Sequence, residues 1–329
     1  MTKILSIGAA VQDVFLSHSP ELKPVADKTA DELFLKIELG PKNVVNNIYF
    51  STGGGATNGA VTFARQGLES EFMGTIGHDP AGAAVLDALD KEGVDTSKVS
   101  YSDKHHTGYS VVLLASTGER SFLTYRGAST HYDIKNFDLE GSDADWLYVS
   151  SMAGNVDILD KIFTQAKLLG IKIFFNPGKG ELKQTEKLKA LLEDVDVLSV
   201  NKEEAQQIVD GENPEELIRR LIHYSPVIII SDGPNGVTAS DGKTIVRAGM
   251  YEDVKVIDRT GAGDAFGSGF LSQWAQGKGL RQSIIFASAN STSVVSRMGA
   301  KTGILHRGVT LHEMPLHEEV LDRGNGNGS

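Results

Sequence analysis

The residues best placed to do chemistry are 258–267, a glycine-rich turn that runs into a helix. Small residues let backbone N–H groups approach a ligand closely, and the first turn of a helix leaves several N–H groups unpaired. The helix dipole adds partial positive charge there, so phosphate oxygens are favoured. A bound phosphate would repel Asp264 unless that carboxylate had a task. The pattern therefore indicates an anion site with one carboxylate that accepts a proton.

The charge pattern supports this interpretation. The chain carries a net charge of -11, yet no acidic residue stands between Asp264 and Glu313. A polyanionic ligand beside Asp264 would account for this acid-free segment. From the glycine spacing alone, a glycine-rich connection in which Asp264 only caps the helix remains an equally good interpretation. Five basic residues fall within the segment: Lys278, Arg281, Arg297, Lys301 and Arg307.

Two familiar glycine motifs do not match. A dinucleotide-binding turn needs a small residue where Phe266 stands and an acidic residue about 20 positions later, which the acid-free segment lacks. A P-loop needs four residues between its two glycines, and Gly236 precedes Gly242-Lys243 by one residue too many. Asp241-Gly242 instead predicts a hairpin turn between two short β-rich runs.

Residues 258–270 resemble the C-terminal signature of the ribokinase (PfkB) family of carbohydrate kinases. Further blocks are similar to other motifs of the family and keep their order along the chain. Together they extend the resemblance from about residue 4 to about residue 303. These blocks are residues 53–58, 64–67, 74–82, 201–204 and 231–236.

Composition is that of an ordinary globular protein. The chain has 329 residues, of which 40% are hydrophobic and 23% charged, enough for a large core and a smaller module. Its acidity argues against nucleic acid or an anionic membrane as the main partner. The lack of cysteine excludes disulfides, thiolate metal sites and cysteine nucleophiles. With no signal peptide and no apolar run near the ~20 residues of a membrane span, we expect a soluble cytoplasmic protein.

The order of elements is an alternation of strands and helices. Continuous β-branched runs predict strands buried on both faces of a parallel sheet, and right-handed crossovers would cover that sheet with helices. The expected fold class is therefore α/β, and the resemblance implies a ribokinase-like three-layer α/β/α domain. Strands are predicted at residues 4–7, 72–76, 146–149, 171–175, 195–200 and 227–230, and helices at 81–92, 157–169, 182–193 and 214–222.

Two segments, 13–50 and 105–126, interrupt that alternation with β-rich runs. Residues 34–39 and 44–50 alternate as strands do, and 109–115 and 120–125 flank a predicted hairpin turn at 116–119. The resemblance implies that such a sheet forms a lid over the substrate and the contact of a homodimer, although an insertion without function remains an alternative. The large domain would comprise residues 1–12, 51–104 and 127–320, followed by a disordered tail at 321–329.

Phosphoryl transfer depends mainly on positioning and on charge stabilisation. The resemblance implies that Asp264 is the general base, which accepts the proton of the substrate hydroxyl. It also implies that the backbone N–H groups of Gly261, Ala262 and Gly263 form an anion hole for the transferred phosphoryl group.

The nucleotide is expected at the carboxyl ends of the next strands. Asn201 and Glu204 follow the run 195–200 and suit water-mediated Mg²⁺ binding. A capping box, in which Asn201 caps a helix and Glu204 bonds back to it, is the alternative and stays open. The resemblance places ATP against these two residues and against Ser231, Asp232, Gly233, Gly236 and Asn290, the last beside the adenine.

The resemblance also implies two further sets of contacts. Asp258 and Thr260 match positions that hold a monovalent cation, which implies activation by K⁺ in addition to ATP and Mg²⁺. A carboxylate can accept from two sugar hydroxyls, and paired glycines let a sugar ring approach the backbone. The substrate residues implied in this way are Asp13, Gly53, Gly54, Asn58 and Arg126.

Two departures bear on the identity of the substrate. Gly55 stands where ribokinase proper has lysine, and residues 150–152 stand where it has a glutamate after the strand. We therefore expect an ATP-dependent kinase for a primary alcohol of a small sugar, without assigning ribose itself. A nucleoside or a sugar acid remains an alternative substrate, and a catalytically silent sensor of sugar or nucleotide an alternative function.

Overall fold

The computed structural model describes residues 1–17, 24–27, 32–115, 120–249, 254–311, 314 and 316–321. Its strands, in chain order, are β1 (Lys3–Ile7), β2 (Val11–Ser17), β3 (Pro24–Asp27), β4 (Glu32–Leu35), β5 (Asn47–Gly53), β6 (Glu69–Gly77), β7 (Asp95–Ser102), β8 (Gly108–Leu114), β9 (Arg120–Tyr125), β10 (Trp146–Val149), β11 (Lys172–Phe175), β12 (Val197–Asn201), β13 (Val227–Ser231), β14 (Val237–Ser240), β15 (Thr244–Ala248) and β16 (Leu316–Val320).

The described helices lie between or after these strands, and all of them follow β5. In chain order they are α1 (Gly55–Arg65), α2 (Pro80–Lys91), α3 (Val156–Leu169), α4 (Lys179–Leu182), α5 (Thr185–Leu192), α6 (Lys202–Ile208), α7 (Pro214–Leu221), α8 (Ala262–Trp274) and α9 (Leu280–Val295).

The main sheet has the order β16-β15-β14-β13-β12-β11-β10-β1-β6-β7 among the described residues. The strands from β13 to β7 are parallel, and β14, β15 and β16 extend the sheet as an antiparallel edge. All six predicted strands lie in the parallel part. Because parallel strands begin at one edge and end at the other, the loops after β1, β10, β12 and β13 meet at one edge of the sheet.

Alternation along the buried strands divides the core between the two faces of the sheet. Leu147 and Val149 of β10 pack with α3, α5, α6 and α7, whereas Trp146 and Tyr148 pack with α8 and α9. A further cluster joins α1 and α2 to β6 on the second face. Helices therefore cover both faces of the sheet, which confirms the three-layer α/β/α expectation.

One predicted helix is interrupted. Residues 182–193 were expected to form a single helix, but α4 ends at Leu182 and α5 begins at Thr185. The side chain of Gln184 donates to the carbonyl of Gly154 at 2.8 Å, which draws the chain toward the loop after β10. This tertiary contact lies at the break between the two short helices.

The predicted hairpin at Asp241-Gly242 is confirmed. It joins β14 to β15, and Oδ1 of Asp241 accepts hydrogen bonds from the N–H groups of Lys243 and Thr244 at 3.0 and 2.9 Å. Gly242 has a φ of 78°, the left-handed conformation that such a turn needs. The segment is therefore a β-turn.

A second sheet has the order β5-β2-β8-β9, and β3 and β4 form a separate pair. This second sheet is called the lid below. The predicted strand at 34–39 ends at Leu35, and the one at 44–50 begins at Asn47. The predicted turn at 116–119 and residues 322–329 of the predicted tail lie outside the described residues. The assignment of residues 13–50 and 105–126 to a lid domain stays a prediction.

No helix in the described part of the chain combines the length and the apolar character that a membrane crossing requires.

Two leucines of α3 test the packing of the core. Leu159 is 0% exposed and Leu168 is 81% exposed. A change from leucine to alanine on this helix therefore affects the core at one position and the surface at the other. Leu159→Ala should lower the free energy of unfolding by about 2–5 kcal/mol, because it removes buried contacts and leaves a cavity. Leu168→Ala should stay within about 0.5 kcal/mol. Urea unfolding measures both, and equal losses would contradict the assigned faces.

Candidate active site

The site is centred on Asp264, the third residue of α8. Asn58 of α1 donates from Nδ2 to Oδ2 of Asp264 at 2.8 Å. A Cβ added to Gly55, the first residue of α1, would lie 3.0 Å from the other carboxylate oxygen. Asp264 therefore lies between the first turns of two helices, whose N-terminal ends both favour negative charge.

The glycine turn before Asp264 has a geometry that larger residues would not allow. Gly261 has a φ of 78°, and a Cβ there would lie 2.5 Å from Cβ of Ala300. Gly263 is exposed, with open space around it. The N–H group of Ala262 donates to the carbonyl of Arg259 at 3.3 Å, so in this state it belongs to the turn. The anion hole of residues 261–263 stays a prediction.

The protonation equilibrium of Asp264 is set by its surroundings. Burial raises the pKa of the carboxyl group, while the amide of Asn58 and the charge of Lys301 partly offset that effect. A carboxylate with a raised pKa is a stronger base than one in water. The position suits proton abstraction from a hydroxyl group.

Asp13 of the lid strand β2 approaches the same site. Its side chain lies against Gly53 so closely that a Cβ on that residue would overlap the carboxylate. Burial raises the pKa of Asp13 to about 6, and Lys301 and Ser110 limit the rise. The structure thus brings Asp13 and Gly53 together, and their contact with a substrate stays a prediction.

The other substrate residues differ in how they are placed. Gly54 has a φ of 101°, and a Cβ there would overlap the backbone of Ala9. Asn58 is buried, and its Oδ1 has no hydrogen-bond partner among the described residues, so it can accept from a ligand hydroxyl. Arg126 is exposed at the end of β9. Its contact with a substrate stays a prediction.

The loop after β10 contains no glutamate of its own, but a buried carboxylate from α4 lies against it. Glu181 of α4 is fully buried and accepts from Oγ of Ser151 and from the N–H groups of Met152 and Gly154, each at 2.8 Å. These bonds fix the loop that follows Ser150. Glu181 therefore shapes the wall of the site and is itself closed off from it.

On the nucleotide side, Asn201 and Glu204 form a reciprocal capping box. The N–H group of Asn201 donates to Oε2 of Glu204 at 2.9 Å, and that of Glu204 to Oδ1 of Asn201 at 2.8 Å. This is the alternative that the sequence left open. The capping box uses Oε2 of Glu204 and leaves Oε1 outside the box. Metal binding by Oε1 stays a prediction.

The residues after β13 lie next to that capping box. Ser231 pairs with Asn201 in the register of β12 and β13. Asp232 accepts from Nδ2 of Asn235 at 3.1 Å, which closes the turn that contains Gly233. Gly236 leaves the turn with a φ of 87°. These residues line the sheet edge where the sequence places the nucleotide.

Asn290 does not have the environment that the sequence predicted. It was expected beside the adenine, but its side chain is fully buried. Nδ2 donates to the carbonyl of Ala265 at 2.8 Å, and Oδ1 accepts from the N–H group of Leu305 at the same distance. Asn290 therefore ties α9 to α8 and to the segment after α9, and its side chain faces the interior instead of an open pocket.

Asp258 and Thr260 are brought together, although the carboxylate is already occupied. Oδ1 of Asp258 accepts from the N–H and the hydroxyl of Thr260 at 2.9 and 2.7 Å, and Oδ2 accepts from the N–H of Gly299 at 3.0 Å. Arg120 of the lid forms an ion pair with the same carboxylate. A positive side chain thus stands where the sequence predicted a cation.

The residue that sequence reasoning missed is Lys301. Its ammonium group is buried and donates to the carbonyl of Thr52 and to Oγ1 of Thr57, both at 2.8 Å. Its charge acts on both Asp13 and Asp264. Burial lowers the pKa of Lys301 to about 7, which the two carboxylates only partly offset. Within the acid-free segment, nothing distinguished this lysine from the other basic residues.

Replacing Lys301 with methionine should change the pH dependence of phosphoryl transfer. Loss of the positive charge raises the pKa of Asp13 and Asp264, so the acid limb of kcat/KM should move up by about one pH unit. Above pH 7 the wild-type lysine is itself largely neutral, so the two proteins should converge there. Lys278→Met, on an exposed lysine, is the control, and a rate ratio that does not vary with pH would contradict the coupling.

Known proteins resemble this chain in sequence. The family model of the pfkB family carbohydrate kinases matches residues 24–307. The ribokinase of Haemophilus influenzae is 27% identical over 277 residues, which cover 80% of this chain and 88% of that protein. The fructokinase of Escherichia coli is 31% identical over 235 residues, or 67% of this chain and 76% of the relative.

A solved structure resembles this chain in fold. The structure of Arabidopsis thaliana ribokinase complexed with ribose and ATP superposes with a TM-score of 0.74 at 21% identity, over 93% of this chain and 97% of that one. The match to the family model spans both the lid and the main sheet. The chain belongs to the pfkB family of carbohydrate kinases and is a phosphotransferase.

Proposed function

We propose that the protein transfers the γ-phosphoryl group of ATP to a primary alcohol of a small sugar, with Asp264 as the general base. The observation that carries this proposal is the position of Asp264, which Asn58 holds between the first turns of α1 and α8. Both helix ends favour a phosphoryl group, and the carboxylate would accept the proton of a hydroxyl bound beside them. The ribokinase and fructokinase relatives favour a sugar as acceptor.

The step needs one proton transfer and one displacement. Asp264 accepts the proton of the sugar hydroxyl while the oxygen of that hydroxyl attacks the γ-phosphorus. The bond from the γ-phosphorus to the β-phosphate oxygen breaks, which releases ADP. The backbone N–H groups of Gly261, Ala262 and Gly263 would stabilise the charge on the phosphoryl oxygens. For this the Ala262 N–H must exchange its long bond to Arg259 for the ligand.

The sugar is expected between the lid and the main sheet. Asp13 would accept from two hydroxyl groups, and Oδ1 of Asn58 would accept from another. Gly53 and Gly54 leave room for the ring to approach the backbone. Arg126 lies at the end of β9 and would approach the sugar from the lid.

ATP is expected along the ends of β12 and β13. Ser231, Asp232, Gly233 and Gly236 form the turn beside the nucleotide. Glu204 would hold hydrated Mg²⁺ through Oε1, since Oε2 is engaged in the capping box with Asn201. When bound, the ion would neutralise charge on the phosphates. Oxygen donors at this edge suit a magnesium ion that keeps its water ligands.

A coupled assay for ADP release tests the proposal. Ribose, fructose, a sugar acid and a purine nucleoside are each offered with ATP and Mg²⁺. A free sugar should give the fastest release, and Asp264→Asn should lower that rate by about 10²–10⁴-fold, because the general base is lost. Thermal unfolding should show that the variant is folded.

Asp157→Asn is the matched control, because Asp157 stands in the first turn of α3, outside the site. Its rate should equal that of the wild type. Near-full activity of Asp264→Asn would overturn the assignment of the base. Faster release with a nucleoside or a sugar acid would change the acceptor, and no release with any acceptor would leave the silent sensor as the function.

We also infer a homodimer through the outer face of the lid. Phe50 pairs with Val14, Val14 with Val111, and Val111 with Leu123, so these side chains share one face. Phe50 is 55% exposed and Leu123 is 61% exposed. Ile48 and Tyr125 extend the same exposed apolar face. A second copy of the chain would cover it.

The dimer has a direct test. Leu123→Glu places a charge on the exposed edge strand β9 of the outer lid face and should convert a dimer to a monomer in sedimentation analysis. Leu168→Glu, on an exposed leucine of α3, should leave the mass unchanged. A wild-type protein that sediments as a monomer would exclude this interface.

A further inference from the structure

One charged side chain of the lid contacts the loop that precedes α8. The guanidinium of Arg120, the first residue of β9, forms an ion pair with Asp258. Asp258 is 1% exposed, and the side chain of Arg120 is 20% exposed. The pair therefore lies at the junction between the two sheets and is largely removed from water.

Strand alternation explains why Arg120 points toward the site. Arg120, Phe122 and Thr124 project from one face of β9, and Thr124 lies opposite Ser110, which lies opposite Asp13. Arg120 is thus on the inner face of the lid together with Asp13. Its guanidinium also lies 5.6 Å from the centre of the Phe122 ring, a contact that favours a cation.

A carboxylate as buried as Asp258 requires compensation. Its hydrogen bonds from Thr260 and Gly299 supply dipoles, and an isolated buried charge would still be costly. The compensating charge can be a bound monovalent cation or a side chain. A guanidinium on Oδ1 repels a second cation, so the residues present do not fit K⁺ while Arg120 is in place.

The carboxylate of Asp258 also positions the turn of residues 261–263, which is called the anion loop below. Asp258 fixes the N–H and hydroxyl of Thr260, which directly precedes Gly261. Through Oδ2 it also holds Gly299, whose neighbour Ala300 packs on Gly261. The cation that pairs with Asp258 therefore also stabilises the conformation of the backbone that is proposed to bind the phosphoryl group.

We propose that Arg120 takes the place of the monovalent cation, so that catalysis needs no K⁺ and the anion loop is ordered by contact with the lid. Arg120 is then a positioning residue, which acts on the reaction through Asp258. The proposal rests on the phosphoryl transfer proposed above, and it adds that the positive charge is delivered by the lid.

The test compares KCl with tetramethylammonium chloride at equal ionic strength. Wild-type activity and melting temperature should be the same in both salts. Arg120→Gln should lose about 10-fold or more of kcat in tetramethylammonium, because a buried charge is left unpaired. K⁺ should restore much of that activity and raise the melting temperature of this variant by a few degrees, since it would bind only the folded state.

Three further variants isolate the cause. Arg120→Lys should stay independent of K⁺, since it keeps the charge. The double variant Arg120→Gln/Asp258→Asn should lose the response to K⁺, because no carboxylate remains to hold the ion. Lys36→Gln removes one exposed positive charge from the segment between β4 and β5 and should behave as the wild type.

The outcomes separate this proposal from the proposed function. A wild-type protein that releases ADP only with K⁺, or whose melting temperature rises in K⁺, would overturn the role of Arg120 and leave the kinase assignment intact. An Arg120→Gln variant that matches the wild type in both salts would also overturn it. If no acceptor gives activity, the proposed function fails, and the melting temperatures alone still decide whether Arg120 replaces the cation.

Discussion

Charge compensation between buried and half-buried groups is the constraint on which the rest of the structure depends. Asp13, Asp258 and Asp264 converge where the lid meets the main sheet, and Lys301 and Arg120 offset their charge. Each carboxylate would be costly there without a partner. The partners come from a loop after α9 and from a lid strand, so the site forms only when distant parts of the chain have folded together.

The fold provides this convergence by simple means. Parallel strands end at one edge, which brings the loops after β10, β12 and β13 together, and the N-terminal ends of α1 and α8 point to the same region. The sheet and helices bury apolar faces for stability, while the loops between them carry the polar groups. The proposed sugar side and nucleotide side therefore occupy neighbouring stretches of a single edge, with the lid above the first.

Local patterns predicted most of this fold. Continuous β-branched runs gave six strands correctly, and the turn before Asp264 was recognised because its glycines are needed locally. Features that depend on distant partners were not predictable. Lys301 bonds to Thr57, 244 positions away, and Arg120 meets Asp258 across 138 positions. Asn290 was misjudged because its burial follows from the packing of α9 on α8, which no local spacing reveals.

The passage from β5 into α1 has a mechanical consequence. The lid strand ends at Gly53 and the helix begins at Gly55, so along this one connection a swing of the lid would act through the backbone torsions of Gly53 and Gly54. Gly54 is already held against the backbone of Ala9 and Ala10, which leaves little room for rotation. This connection is therefore stiff, and Gly53 and Gly54, which border the proposed sugar site, would move little if the lid changed its position.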